Sequence, residues 1–221
     1  MLKPANRATP ERWRTSLQIV RRLHLFRSKG IIYIHIPKAG GSSVNEAIYG
    51  RFMGHYTIQQ VHRIASSKTR SLPSFSLTRN PWARLFSAYR FAIAGRGTGG
   101  TVTAGIRHPK RYQKKEFGTF DSFIFDWLRK RNINKLDGVF RLQSNYVCDN
   151  KGRVMVDHLG RLEDLDTTYI WLAKYLGASL EFPHSNRSGT EVNYREHYNS
   201  ETARIVGDIY AEDVERFRYK F

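Results

Sequence analysis

The run IIYIHIPKAGGSSVNEAIYG, residues 31–50, constrains the fold of this chain more than any other stretch. IIYIHI is short and rich in β-branched residues, which predicts a buried strand. SSVNEAIYG predicts a helix closed by Gly50. Between them, Gly40 and Gly41 let the backbone turn sharply and come close to a ligand. A helix that starts there offers free N–H groups and a positive dipole end, which favour an anion. Lys38 adds a point charge on a flexible stem. Lys38, Gly40, Gly41, Ser42 and Ser43 therefore suit a phosphate-like group, although plain α/β domains also turn on glycines at such a junction. The lysine stands before the glycines. The pattern GxxxxGK[ST], whose lysine directly precedes a magnesium-binding Ser/Thr, does not occur, which disfavours a metal-dependent nucleoside triphosphatase.

A second strand-to-helix junction follows in SFSLTRNPWARLFSAYRFAI. Ser74 to Thr78 predicts a strand. Asn80 can cap a helix whose first position is Pro81, where a missing N–H costs nothing. Trp82, Leu85, Phe86, Tyr89 and Ile93 share one side of that helix and are expected to face the core. Arg79 then stands at a strand end, with Ser87 two turns into the helix behind it. A guanidinium and a hydroxyl so arranged can clamp a second phosphate, or be no more than surface groups.

The rest of the chain reads as further helices. TFDSFIFDWLRKR puts Phe120, Phe123, Ile124, Trp127 and Leu128 on one face, with Thr119 as N-cap. DTTYIWLAKYLG is expected to be capped by Asp166 and stopped by Gly177. SETARIVGDIYAEDVERF forms the last helix, capped by Ser200. Strands alternating with helices imply an α/β layer fold with a parallel sheet. Residues 95–118 lack periodicity and read as a long loop.

Charge narrows the partners. With 37 Lys/Arg against 19 Asp/Glu the net charge is +18, which favours a polyanion: nucleic acid, acidic polysaccharide, anionic lipid or a multiply charged nucleotide. Residues 1–30 hold eight Lys/Arg and one acid. Trp13, Leu17 and Val20 share a face there, so a basic helix is expected, either packed on the domain or in peripheral contact with a membrane surface. Arginines interrupt the place where a signal peptide would be apolar, and no apolar run approaches the ~20 residues that span a bilayer. Cys148 is the single cysteine, which fits a reducing compartment. A cytoplasmic location is expected.

IHIPKAGGSS followed by TRNPWARLFSAY resembles the two cofactor motifs of sulfotransferases that use 3'-phosphoadenosine 5'-phosphosulfate (PAPS). The nearest branch holds the heparan-sulfate 2-O and 6-O enzymes and bacterial relatives. FDSFIFDWL, RLQSNYVCD, DHLGRLEDLD, PHSNRSG and YAEDVERFRY are similar to later blocks of the bacterial members, in the same order, so the likeness runs from about residue 30 to 221. It implies a three-layer P-loop-like domain over 30–221, with a central parallel sheet flanked by helices, preceded by a basic extension over 1–29. It implies that Lys38, Ala39, Gly40, Gly41, Ser42 and Ser43 bind the 5'-phosphosulfate, and that Arg79 and Ser87 bind the 3'-phosphate. Asn186, Arg187 and Ser188 are implied nucleotide contacts. The implied co-substrate is PAPS, with no metal.

Sulfuryl transfer needs a base for the acceptor hydroxyl and positive charge on the departing phosphate. Lys38 can supply the charge. A base near neutral pH suggests histidine. His55, in GHYTIQQV, resembles the segment that carries the catalytic histidine of the 6-O enzymes. His62, seven residues on, is the alternative if both share a helix face, and Glu46 is a lesser candidate. His35 precedes the loop inside the strand and is expected to be a packed core residue. His108 and His184 are candidate acceptor contacts. Six Lys/Arg and no acid between residues 96 and 115 can meet an anionic acceptor, or form a solvated charge run. The resemblance implies a PAPS-dependent sulfotransferase acting on a hydroxyl, with a carbohydrate as the expected acceptor. Its rivals are a P-loop nucleotide kinase or NTPase and a non-catalytic nucleic-acid-binding module. Composition leaves the oligomeric state open.

Overall fold

In β2, Ser74–Thr78, every residue is buried, as the sequence predicts for the middle strand of a parallel sheet. In this computed structural model, which describes residues 11–94, 106, 109–177 and 193–221, β2 lies between β1 (Ile32–Ile34) and β3 (His158–Arg161). Both pair parallel to it, in the order β1-β2-β3. Tyr33 faces Phe75 across the first pair, and Ser76 faces Leu159 across the second.

Helix α1 (Glu11–Lys29) precedes β1, and α2 (Gly41–Tyr49), α3 (Ile58–Ile64) and α4 (Ser67–Arg70) lie between β1 and β2. α1 buries Ile19, Leu23 and Phe26 in the same core as the sheet. Trp13, Leu17 and Val20 turn the other way. α2 ends on Gly50 in the left-handed conformation, as expected. Its Tyr49 hydroxyl donates to the Ile31 carbonyl and accepts from the Tyr33 N–H, both at 3.0 Å. A side chain thus serves polar groups of the edge strand that no further strand reaches.

α5 (Pro81–Ile93) starts as predicted, with the Asn80 side chain accepting from the Trp82 and Ala83 N–H groups. Trp82, Leu85, Phe86 and Tyr89 are buried. Ile93 is not: it is 49% exposed in the last turn, where α5 has run past the core. Of residues 95–118, those at 95–105 and 107–108 lie outside the described residues. The remainder departs from the expected loop. Pro109–Tyr112 and Lys115–Phe117 form short 3₁₀ turns, and Ile106, Tyr112 and Phe117 enter the core. Tyr112 is anchored by its hydroxyl donating to Asp137 at 2.5 Å.

The Thr119 cap and the buried face of Phe120, Phe123, Ile124, Trp127 and Leu128 are as read. The helix itself is irregular: α6 (Phe120–Ser122) passes into a π-helical stretch, Phe123–Trp127, and then a 3₁₀ turn. The stretch carries stacked and tilted rings of Phe123, Trp127 and Phe140, so ring packing overrides the regular helical repeat. α7 (Ser144–Val147) leads toward β3, and α8 (Asp166–Leu176) follows it. α8 covers the sheet face carrying Phe75, whose ring meets Trp171 at 5.8 Å.

Two expected caps are displaced by one residue. α8 has Leu165 at its cap position, and Asp166 sits inside the first turn. α9 (Ser200–Ile209) is capped by Asn199 rather than Ser200, in a reciprocal pair of bonds with Thr202. The last helix also breaks at Tyr210, and α10 (Ala211–Arg216) is separate. Tyr210 is fully buried, with its hydroxyl donating to the Phe140 carbonyl. Among the described residues no helix is long and apolar enough to cross a membrane.

Candidate active site

The glycine turn after β1 and the Arg79 turn after β2 lie side by side, because the strands that lead into them are parallel neighbours. The first turn is tight. Lys38 has φ 67 and Gly40 has φ 76, both left-handed. That conformation is natural for glycine and costly for lysine. Ala39 is fully buried and ties the turn by donating its N–H to the Ile36 carbonyl. A Cβ added at Gly41 would stand 2.2 Å from the His35 ring and 2.5 Å from the Tyr33 hydroxyl. Glycine is required there by close approach. A Cβ on Gly40 would stand 2.4 Å from Leu162, just beyond β3.

α2 begins directly from this turn. Gly40 caps it without a side chain, unlike Thr57 on α3 or Asn80 on α5. The first N–H groups of α2 thus open toward the turn, with Ser42 exposed and Ser43 half-buried beside them. This is the cradle that an anion requires.

The loop is seated on α5. Arg84 is 1% exposed, and its Nε donates to the Pro37 carbonyl at 3.1 Å. Its Nη2 donates to the carbonyls of Val139 and Arg141. Lys38 Nζ stands 4.1 Å over the Phe91 ring. Arg84, Ser87 and Phe91 follow one stripe of α5, so Ser87 lies on the helix face that the lysine crosses. Arg79 reaches the same place: its Nη1 donates to the Lys38 carbonyl at 3.3 Å. Two motifs 41 residues apart therefore converge.

The turn that carries Arg79 is braced by three later segments. Gln143 accepts from the Arg79 N–H and donates to the Arg79 carbonyl, both at 2.9 Å. Glu163 accepts from the Asn80 N–H at 2.7 Å. Asn80 donates to the Lys220 carbonyl at 2.8 Å. Asp213, fully buried, in turn accepts from the N–H groups of Gln143 and Ser144. Burial pushes its carboxyl up, against the pull of the Arg84 charge and those two N–H groups. Sequence reasoning noticed these blocks only as likenesses. Arg84, Gln143, Glu163 and Asp213 are left unassigned by the motifs, and of them only Arg84 stands as a charge inside an otherwise apolar run, PWARLF.

The histidines separate clearly. His55 precedes α3 in irregular backbone, so it and His62 do not share a helix. The His55 ring lies 4.4 Å from that of His35, with Phe52 closing the group at 5.0 Å. Burial, then the Lys38 charge, push the His55 imidazole down to about 3. His55 retains partial exposure, while His35 is buried. His35 lies beneath the glycine turn, its Nδ1 2.8 Å from the Asn45 amide nitrogen, and burial holds it well below the ordinary histidine value. His62 is lowered by burial and then by the Arg70 charge, with Asp157 pulling the other way. Asp157 accepts from Ser74 at the start of β2, the end of the strand away from Arg79. Glu46 is exposed on α2. Asn186, Arg187, Ser188, His108 and His184 lie outside the described residues.

A glycine turn that opens a helix, a lysine and an arginine thus lie together at the carboxyl ends of adjacent parallel strands, an arrangement suited to an anion. The model of the sulfotransferase family matches residues 21–220, and this chain belongs to that family. No curated protein and no solved structure matches the chain.

Proposed function

We propose that the protein transfers a sulfuryl group from PAPS to an acceptor hydroxyl, with a carbohydrate as the acceptor class. The observation that carries this reading is the Arg79–Lys38 contact. It brings two cationic turns to one place, as a single donor with phosphate at both ends would need. The bare cradle at Gly40 and Gly41 fits a phosphosulfate, and Arg79 with Ser87 fits a 3'-phosphate.

In this reading His55 takes the acceptor proton as the acceptor oxygen bonds to sulfur. The bond from sulfur to the donor's phosphate oxygen breaks, and Lys38 with the first N–H groups of α2 meets the charge left on that phosphate. A base must be neutral to act, and the lowered His55 keeps the imidazole neutral in the free protein. Burial is the larger cause of that lowering, but the dianionic phosphosulfate beside Lys38 offsets the smaller part that the lysine charge contributes, so His55 becomes a stronger base once the donor is bound. The surplus of cations supports an anionic polysaccharide among carbohydrates.

The test is incubation with PAPS and a panel of sulfated and neutral oligosaccharides, read by mass spectrometry for addition of one sulfate. Transfer that is lost in His55→Ala and Lys38→Ala supports the reading. Magnesium-dependent turnover of ATP with no transfer from PAPS would move the protein to the nucleotide kinases.

A further inference from the structure

Helix α1 is apolar on two faces. Ile19, Leu23 and Phe26 are buried in the core. On a separate face Trp13, Leu17 and Val20, spaced four and three residues apart, are 66%, 54% and 52% exposed. Arg14, Arg21 and Arg27 flank this stripe, all exposed. α1 packs on α3 and α4, which add exposed Arg63, Lys68 and Arg70. Between residues 13 and 72 there are ten Lys/Arg and one acid, Glu46.

We propose that this face of α1 docks the protein on an anionic lipid bilayer. The helix lies in the plane of the interface, with Trp13, Leu17 and Val20 at the headgroup boundary and the arginines on the anionic headgroups. A tryptophan and two aliphatic side chains in a line, with cations on both flanks, are what such a surface accepts. A polysaccharide or nucleic acid would use the arginines but has no place for Leu17 and Val20. A second copy of the chain would set the same arginines against each other. The stripe faces away from the core, so the inference does not depend on the reaction proposed above.

The full chain is sedimented with vesicles of phosphatidylcholine alone and of phosphatidylcholine with phosphatidylserine, at low and high salt, while tryptophan emission is followed. Trp82 and Trp127 are buried, and Trp171 is half-buried against Phe75 and His158 on the sheet, so a shift on binding reports mainly Trp13. The proposal expects binding to the phosphatidylserine vesicles that weakens with salt, a blue shift in emission, and at least a tenfold weaker association in Leu17→Glu. Trp13→Phe should keep binding and lose most of the shift. An unchanged melting curve confirms that each variant folds, as exposed positions predict. Absent vesicle binding, binding that Leu17→Glu leaves intact, or an unmoved emission would overturn the proposal. So would self-association without lipid that Leu17→Glu abolishes, since the face would then belong to a second copy.

Discussion

The side-chain amide of Gln143 pairs with the peptide of Arg79 on both sides, accepting from its N–H and donating to its carbonyl. It does for the end of β2 what another strand would do, and it fixes the backbone from which the guanidinium projects. Asp213 holds the backbone of Gln143 in its turn. A residue near the carboxyl end of the chain thus reaches the candidate 3'-phosphate pocket through two hydrogen-bonded steps.

Gln143→Ala should therefore loosen Arg79 without removing it. Leaving the two part-buried backbone groups unpaired costs about 1–3 kcal/mol of stability, and affinity for adenosine 3',5'-bisphosphate should fall about tenfold. Denaturant unfolding and calorimetric titration measure the two effects. Gln143→Glu sets a buried carboxylate oxygen against the Arg79 carbonyl and should lose at least as much.

Gly41→Ala tests the close approach of the loop to the residues beneath it. The added methyl meets the His35 ring and the Tyr33 hydroxyl, and overpacking of this kind costs about 1–3 kcal/mol. Nucleotide binding should drop with stability, and titration beside a thermal melt shows both. A neutral outcome would mean that the turn has slack that its contacts deny.

Arg84→Met removes a buried cation that holds three carbonyls and whose charge pulls the buried Asp213 carboxyl down. Breaking a buried charge pairing costs about 3–5 kcal/mol, so unfolding in urea should shift strongly downward. Arg84→Lys should not rescue it, because an ammonium lacks the planar fork that spans separate carbonyls.

His35 and His55 both titrate below the ordinary value of 6.5 in the folded chain. Below pH 6.5 the unfolded chain therefore binds more protons, and stability falls as pH drops from there toward about 3. The urea midpoint should decline from pH 7 to pH 5, and less steeply in His55→Phe, which keeps a ring against Phe52. The acid limb of turnover should likewise lie below 6.5. His55→Ala should lose turnover by about 100-fold or more while nucleotide affinity holds.

The parts of the fold legible in sequence were those governed by local chemistry. Ser74–Thr78, the Asn80–Pro81 start of α5 and the glycine ends of α2 and α8 follow from β-branching, capping and left-handed turns. What was not legible depends on distant partners. β3 reads HLGR, without the apolar run of a central strand, and owes its place to pairing with β2. The π-helical stretch at Phe123–Trp127 and the break at Tyr210 answer to ring packing and a buried hydroxyl. At the site, Lys38, Gly41 and Arg79 stood out because their chemistry is local. Arg84, Gln143 and Asp213 act on backbone groups far along the chain, which one sequence does not reveal.

The central claim, that one doubly phosphorylated nucleotide bridges the Lys38 turn and Arg79, is tested most directly by calorimetric comparison of adenosine 3',5'-bisphosphate with adenosine 5'-monophosphate, in the native protein and in Arg79→Ala. The account predicts that the 3'-phosphate strengthens binding at least tenfold in the native protein and adds nothing in the variant. Equal affinity for the two nucleotides in the native protein, or a preference that survives the loss of Arg79, would contradict it.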